Sequence, residues 1–95
     1  MAWNVLYHPE VTQDLRRLGS AEANRILDVI EKRIQEGEPN KLGKPLRGAL
    51  SGYRRIRTGN TRIVYRVHSK KVEVLIIAVG VRRDAEVYSL AADRI

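Results

Sequence analysis

The sequence predicts an α+β domain in which a helical hairpin packs on a mainly antiparallel four-stranded sheet. Apolar residues recur at helical spacing between Pro9 and Gly37. Farther along, two alternating segments flank the dipeptide "GN", which is typical of a two-residue hairpin turn. A continuous apolar run, residues 72–80, is typical of a central strand. The predicted order is β-α-α-β-β-β-α, and 95 residues fit one domain, 1–95.

The first part of the chain predicts one strand and two helices. "AWNVLYHP" is typical of a strand that ends at Pro9. The next segment has proline at its start, acidic residues in its first turn and apolar residues at helical spacing, so it predicts a helix that stops at Gly19. A second helix is predicted from Ser20 to Gly37. Its apolar stripe consists of Ala23, Ile26, Leu27, Ile30 and Ile34.

The second part predicts a loop, three strands and a terminal helix. Residues 37–50 are rich in glycine, proline and basic side chains, as expected of a connection. Strands are predicted at 53–58, 61–67 and 72–80, and a short helix at 84–94. We expect this last helix to make few contacts. The helical hairpin should cover one face of the sheet and leave the other partly open.

Charge is distributed unevenly along the chain. The net charge is +7, but residues 1–40 hold five basic and seven acidic side chains, whereas residues 41–95 hold thirteen and four. Between Lys41 and Val72 there are ten basic residues and no acidic one. A field of one sign attracts polyanions. Nucleic acid is therefore the leading class of partner, ahead of an acidic protein or a membrane surface.

Counting outward from the predicted turn places arginines on one face of the hairpin. A loop at Gly59–Asn60 pairs Arg57 with Arg62. Since side chains alternate, one face carries Tyr53, Arg55, Arg57, Arg62, Val64 and Arg66, and the other carries Arg54, Ile56, Thr58, Thr61, Ile63 and Tyr65. The second face is the expected core. Neighbouring guanidiniums repel one another, and a bound phosphate would offset this repulsion. On spacing alone, a solvated outer face is an equal alternative.

Other chemistries find little support in the residues. There is no cysteine, so disulfides and thiolate metal sites are excluded. His8 and His68 are isolated from carboxylates at metal-binding spacing, and neither a metal nor a cofactor is expected. "GKPLRG" lacks the strand–loop–helix context of a phosphate-binding loop. Neither a signal peptide nor a membrane-spanning run is found, so we expect a cytoplasmic protein without membrane contact.

Four segments resemble the RelE/ParE toxins, and the RelE branch in particular. They are "DLRRLGS", "KLGKPLRG", "YRRIRTGNTRIVYRV" and "VLIIAVGVRRDAEVYSLAADRI", and the likeness extends over nearly the whole chain. The resemblance implies the toxin of a toxin–antitoxin pair: a ribosome-dependent, metal-independent endoribonuclease that cuts mRNA in the ribosomal A site. The alternative is a gyrase inhibitor like ParE, or a non-catalytic relative that only binds its antitoxin.

The same resemblance assigns the catalytic residues, and other basic residues are expected to contact RNA. Those implied as catalytic are Arg55, Arg57, Arg62, Arg82 and Tyr88. Those expected to contact RNA are Lys41, Lys44, Arg47, Arg54, Arg66 and Arg83. Positions 55 and 57 are often lysine in this branch. Since arginine stays protonated, Arg57 should act by charge and hydrogen bonding. Asp84 stands where some relatives have a basic residue, and it should weaken the field locally.

Partners also follow from the resemblance. They are the small subunit of the ribosome with its mRNA, and a cognate antitoxin whose acidic segment wraps the toxin. Alone, the toxin is expected to be monomeric. We expect the antitoxin to neutralise the arginine face and to displace or re-dock the terminal helix, which carries Tyr88.

Overall fold

One mixed sheet organises the chain in a computed structural model, which describes residues 2–81 and 83–95. The strands are β1 (Asn4–Tyr7), β2 (Lys44–Pro45), β3 (Tyr53–Thr58), β4 (Thr61–His68) and β5 (Glu73–Val81). They lie in the order β1-β5-β4-β3-β2; the β1–β5 pair is parallel and the other pairs are antiparallel. The helices are α1 (Val11–Leu18), α2 (Ser20–Val29), which continues as a π-helical segment (Ile30–Gln35), and α3 (Asp84–Ala92). The predicted α+β class is confirmed.

The described chain has five strands where the sequence predicted four. The additional strand is β2, which pairs Lys44 with Arg55 and Pro45 with Arg54 at the edge of the sheet. It lies inside the segment that was expected to be a loop. Two residues are too few to show the alternation by which a strand is recognised, and proline is accommodated at an edge because that position needs no second hydrogen-bonded neighbour.

The register of the β3–β4 hairpin is confirmed. Thr58 pairs with Thr61 and Arg57 with Arg62. Gly59 has φ +60°, a left-handed conformation that the tight turn requires. The next pair is less regular, since β4 and β5 change register between Val64 and Tyr65.

The face of the sheet that meets α1 and α2 carries the larger core. Its buried members are Val11, Ile26, Ile30, Ile34, Ile56, Ile63, Tyr65, Val74, Ile76 and Val79. The hairpin residues in this set belong to the face predicted as core. Leu27 was predicted to join the stripe and is 38% exposed. The row Ile26–Ile30–Ile34 makes the contact with the sheet, and Leu27 lies one position to its side.

The opposite face is covered by α3, and the expectation that this helix makes few contacts is wrong. It packs on a second buried cluster formed by Leu50, Tyr53, Val64, Ile77, Ala78, Val87 and Ala91. Just beyond the helix, Arg94 donates to Asp14 of α1 at 2.7 Å, and these side chains are 4% and 1% exposed. The end of α3 is thus fixed to α1. Among the described residues, no helix is long and apolar enough to cross a membrane.

Candidate functional site

Three arginines meet where the β3–β4 hairpin approaches the start of α3. We call Arg55, Arg57 and Arg62 the arginine cluster. The strands place them on one face because Arg57 pairs directly with Arg62, and Arg55 lies two positions from Arg57 on the same strand. The side chains of Arg55 and Arg62 are 12% and 14% exposed, whereas that of Arg57 is 55% exposed. The cluster predicted from the hairpin register therefore exists, and two of its members are largely buried.

The carboxylate of Asp84, the first residue of α3, lies among these three guanidiniums. Arg62 Nε donates to Asp84 Oδ1 at 2.9 Å. Arg55 Nη1 donates to Oδ2 at 3.0 Å, and Arg57 Nη2 lies 3.5 Å from the same oxygen. The sequence predicted a weaker local field at this position, and the structure shows a direct ion pair with each arginine. No signal within residues 84–94 predicted it, because the three partners belong to β3 and β4, 22 to 29 positions earlier in the chain.

The arginines change the acidity of the groups around them. Burial by itself raises the pKa of Asp84, but the hydrogen bond from Arg62 and the charges of Arg55 and Arg57 outweigh it, so the pKa lies below its usual value. The carboxylate is therefore ionised at neutral pH. For Tyr88, burial raises the pKa despite the opposing charge of Arg55. The phenol consequently keeps its proton and can donate a hydrogen bond.

Tyr88 connects the arginine cluster to an open cleft. It lies four residues after Asp84, on the same face of α3. The cleft has a volume of about 720 Å³ and is lined by Lys44, Pro45, Leu46, Arg47 and Tyr88. Lys44 pairs with Arg55 across the β2–β3 ladder, so the cleft adjoins the cluster. An aromatic ring beside basic side chains is suited to a nucleotide, because the ring can stack on a base while cations contact phosphates.

Two of the predicted RNA contacts lie apart from this cleft. The guanidinium of Arg54 is on the opposite face, where its Nε donates to the carbonyl of Leu42 at 2.6 Å. It also donates to the carbonyl of Gly43 and so fixes the loop before β2. Lys41 is exposed and lies 3.3 Å from the carboxylate of Glu38. Contact of either residue with RNA stays a prediction.

The remaining predicted contacts lie at two other places. Arg66 is exposed near the far end of β4, with its guanidinium carbon 5.9 Å from the ring centre of Tyr53. Arg83 is exposed and extended immediately before α3. The predicted catalytic residue Arg82 lies outside the described residues. In the described part of the chain, no group of three or more His, Asp or Glu side chains is arranged to hold a metal ion.

Comparison with known proteins identifies the family. The profile of a family described as "ParE toxin of type II toxin-antitoxin system, parDE" matches residues 5–86. The chain belongs to the RelE/ParE toxin family. This family member is 33% identical to the mRNA interferase toxin RelE of Escherichia coli, over all of its own length and 99% of that protein. The resemblance read from the sequence motifs is confirmed.

Solved structures agree with this membership. The chain is similar to a toxin–antitoxin complex, RelBE, from Mycobacterium tuberculosis, with a TM-score of 0.79 and 27% identity over 86% of this chain and all of that one. It is also similar to an arginine-to-alanine double mutant of the E. coli toxin RelE in the free state. That match has a TM-score of 0.76 and 31% identity over 100% of this chain and 99% of that chain. The fold is thus that of RelE toxins.

Proposed function

We propose that this family member is a ribosome-dependent endoribonuclease toxin that cuts mRNA in the ribosomal A site. The observation that carries the proposal is the convergence of three guanidiniums on one anionic group, next to a cleft that contains Tyr88. The full-length similarity to a protein named mRNA interferase supports the same class of reaction. The site offers many cations and few proton acceptors, and this suits a reaction in which RNA supplies the nucleophile.

The proposed reaction is a transesterification within the RNA. The 2′-oxygen attacks the adjacent phosphorus and loses its proton, while the bond from phosphorus to the 5′-oxygen breaks and that oxygen gains a proton. The products are a 2′,3′-cyclic phosphate and a 5′-hydroxyl. The protein accelerates it by aligning the attack and by stabilising negative charge that develops on the phosphate. We propose that no metal takes part.

Each site residue has a proposed role. Arg55 and Arg62 hold the phosphate, and Arg57 orients or polarises the 2′-hydroxyl. Arg82 assists the leaving 5′-oxygen as proton donor or by its charge. Tyr88 positions the base by stacking, for which its protonated, half-buried ring is suited. Lys44 and Arg47 line the same cleft and contact the flanking phosphates.

The site supplies charge more than proton transfer, so we expect the ribosome to order the substrate. The deciding experiment incubates the purified protein with ribosomes programmed with a defined mRNA and maps the ends of the products. Cuts confined to the A-site codon, with a cyclic phosphate on the upstream fragment, are expected. Naked RNA of the same sequence should be cut weakly or not at all. Efficient cutting of free RNA, or intact mRNA on ribosomes, would contradict the proposal.

The alternative of gyrase inhibition has its own test. The matching family profile carries the name ParE, whereas the curated relatives that the chain matches over its full length are named RelE. Supercoiling by purified gyrase should therefore proceed normally in the presence of this protein. Inhibition of gyrase together with intact ribosomal mRNA would favour the alternative.

We further propose that a cognate antitoxin restrains this toxin in the cytoplasm, and that the free toxin is a monomer. Support comes from the M. tuberculosis neighbour, which is a toxin–antitoxin complex. An acidic antitoxin segment would cover the arginine cluster and displace or re-dock α3. Because Val87 and Ala91 are buried, displacement requires binding energy from the antitoxin. Hydrogen exchange across residues 84–94 should rise when the antitoxin binds; unchanged protection with full inhibition would mean steric occlusion instead.

A further inference from the structure

The carboxylate of Asp84 occupies the arginine cluster as a bound anion would. Its Oδ1 accepts a hydrogen bond from Arg62 Nε at 2.9 Å, and its Oδ2 accepts one from Arg55 Nη1 at 3.0 Å. Arg57 Nη2 lies 3.5 Å from Oδ2. Under the proposed function, these same guanidiniums hold the phosphate of RNA. A phosphate and a carboxylate that share one set of donors would also repel each other at contact distance. The two anions are therefore mutually exclusive in this geometry.

The carboxylate does not saturate the cluster. Three positive charges face one negative charge, so two remain uncompensated within these ion pairs. Arg55 Nε is buried and has no hydrogen-bond partner among the described residues. A phosphate presents acceptor oxygens in more directions than a planar carboxylate does, and its negative charge grows during in-line attack. The cluster is thus better matched to phosphate than to Asp84.

The side chain of Asp84 can leave the cluster without unfolding α3. It belongs to the first residue of the helix and is 32% exposed. The helix is held on the sheet by Val87 and Ala91, which are buried farther along. Arg83, just before it, is extended and makes no side-chain cap. Rotation about the side-chain bonds of Asp84 would bring its carboxylate into water.

We propose that Asp84 is a built-in competitor of the RNA phosphate, occupying the arginine cluster in the free protein and giving way when RNA binds. The choice of RNA as the incoming anion rests on the proposed function; the presence of an oxyanion site under Asp84 does not. One consequence is that free RNA binds weakly, and that the high local concentration of substrate on the ribosome is needed to expel the carboxylate.

The test compares Asp84→Asn with the parent and with Asp93→Asn. Asp93 is exposed at the other end of α3, so its variant has the same change in net charge without touching the cluster. Inorganic phosphate is titrated into each protein, and the NMR signal of the Arg55 Nε–H group reports occupation. We expect Asp84→Asn to bind phosphate about tenfold more tightly than Asp93→Asn, the effect of one hydrogen bond to a charged group. Asp84→Ser, also neutral and tolerated at a helix start, serves if the asparagine variant folds poorly.

A second measurement, cleavage on programmed ribosomes, separates this inference from the proposed function. The concentration of programmed ribosomes that gives half of the maximal cleavage rate should be lower for Asp84→Asn than for the parent. The cleavage rate at saturating ribosomes should be the same in both proteins. If Asp84→Asn binds phosphate no more tightly than Asp93→Asn does, Asp84 organises the arginines, and the proposal that it competes with phosphate is wrong. Loss of the saturated rate, with RNA still bound, would make Asp84 a participant in the reaction and would also overturn it. If neither the parent nor the variants cut mRNA, but phosphate binds more tightly to Asp84→Asn, then Asp84 does compete with an oxyanion for the cluster and the proposed function is wrong.

Discussion

The two ends of α3 both carry contacts between arginine and aspartate, yet the contacts differ in charge balance and burial. At the far end, Arg94 pairs with Asp14 at 2.7 Å and with Glu10 at 3.6 Å, and Arg17 lies 4.0 Å from Asp14, so positive and negative charges are equal in number. The side chains of Arg94 and Asp14 are 4% and 1% exposed. Asp14 also accepts a hydrogen bond from the backbone N–H of Val79. At the near end, Asp84 faces three arginines and is 32% exposed. A balanced, dry pair is typical of a structural contact, whereas surplus charge open to solvent is suited to binding an anion.

One short helix thus serves two purposes. Burial at its far end holds α3 on the sheet, so Tyr88 has a fixed position beside the cleft. The near end can then keep an unbalanced set of charges without loss of the fold. Substitutions at the two ends should therefore differ in whether they change stability or cleavage.

Arg82→Ala should give the largest change, because a group that acts on the leaving oxygen contributes about 10²–10⁴-fold to the rate. We expect the single-turnover rate of mRNA cleavage on ribosomes to fall by that order, with ribosome binding changed far less. Arg16→Ala, which removes an exposed cation of α1 outside the site, is the control for charge. Equal losses of binding and rate in Arg82→Ala would make Arg82 an anchor for RNA.

Asp14→Ala should lower the free energy of unfolding by about 3–5 kcal/mol, because it leaves Arg94 buried without its buried counter-charge, and the remaining carboxylate, Glu10 at 3.6 Å, is 65% exposed. Urea denaturation measures the change, and Asp93→Ala, at an exposed position, should change stability by roughly 0.5 kcal/mol or less. Adding Arg94→Ala to Asp14→Ala should recover part of the loss. A loss below about 1 kcal/mol in the single variant would place this pair with ordinary surface salt bridges.

Arg62→Ala, at the near end of α3, should reduce the cleavage rate more than the stability, which is the reverse of what is expected for Asp14→Ala. Loss of a hydrogen bond from a charged group is expected to slow cleavage by roughly ten- to hundredfold. Since Asp84 keeps Arg55 and Arg57 as partners, unfolding in urea should change less than in Asp14→Ala. Arg16→Ala, an exposed cation on α1, is the control for charge. If the cleavage rate of Arg62→Ala falls only in proportion to a loss of folded protein, then the two ends of α3 do not differ in function.

Arg57→Lys should have a smaller effect and mainly alter the pH dependence. Lysine keeps the positive charge. The two charges of Arg55 and Arg62 would lower its pKa from the ordinary value, and they outnumber the single charge of Asp84, which acts in the opposite direction. We expect the variant to stay active and to show a steeper rise in cleavage rate with pH than the parent. A basic limb in the parent that Arg57→Ala abolishes would show that this arginine takes part in proton transfer.

Glu22→Gln should give the smallest effect and concerns an exposed ion pair on α2. Hydrogen bonds from Arg25 and Thr61 lower the pKa of Glu22 from 4.5 to about 2. A lowered pKa means that the stabilisation is complete above pH 4.5 and is lost as the pH falls through about 2. The variant should therefore be less stable than the parent at neutral pH, and the difference should shrink across that acid range. A constant difference in urea denaturation at all pH values would contradict this.

Local rules allowed much of the site to be predicted from the sequence. The dipeptide Gly59–Asn60 defines the turn, and alternation along the two strands then places Arg55, Arg57 and Arg62 together. The same alternation sends Ile56 and Ile63 to the core. Helical spacing likewise predicted α1 and the row along α2. In each case a residue and its neighbours within a few positions are sufficient to determine the outcome.

The group that the arginines contact and the way α3 is held both depend on contacts between residues far apart in the chain. Asp84 is 22 to 29 positions from its partners, and Arg94 is 80 positions from Asp14. The register change beside Val64 and the two-residue strand at Lys44 are equally absent from any local period. Such contacts depend on how helices and strands pack after they have formed. Strand alternation is enough to bring the positive charges together, whereas the carboxylate reaches them only because α3 packs against the sheet.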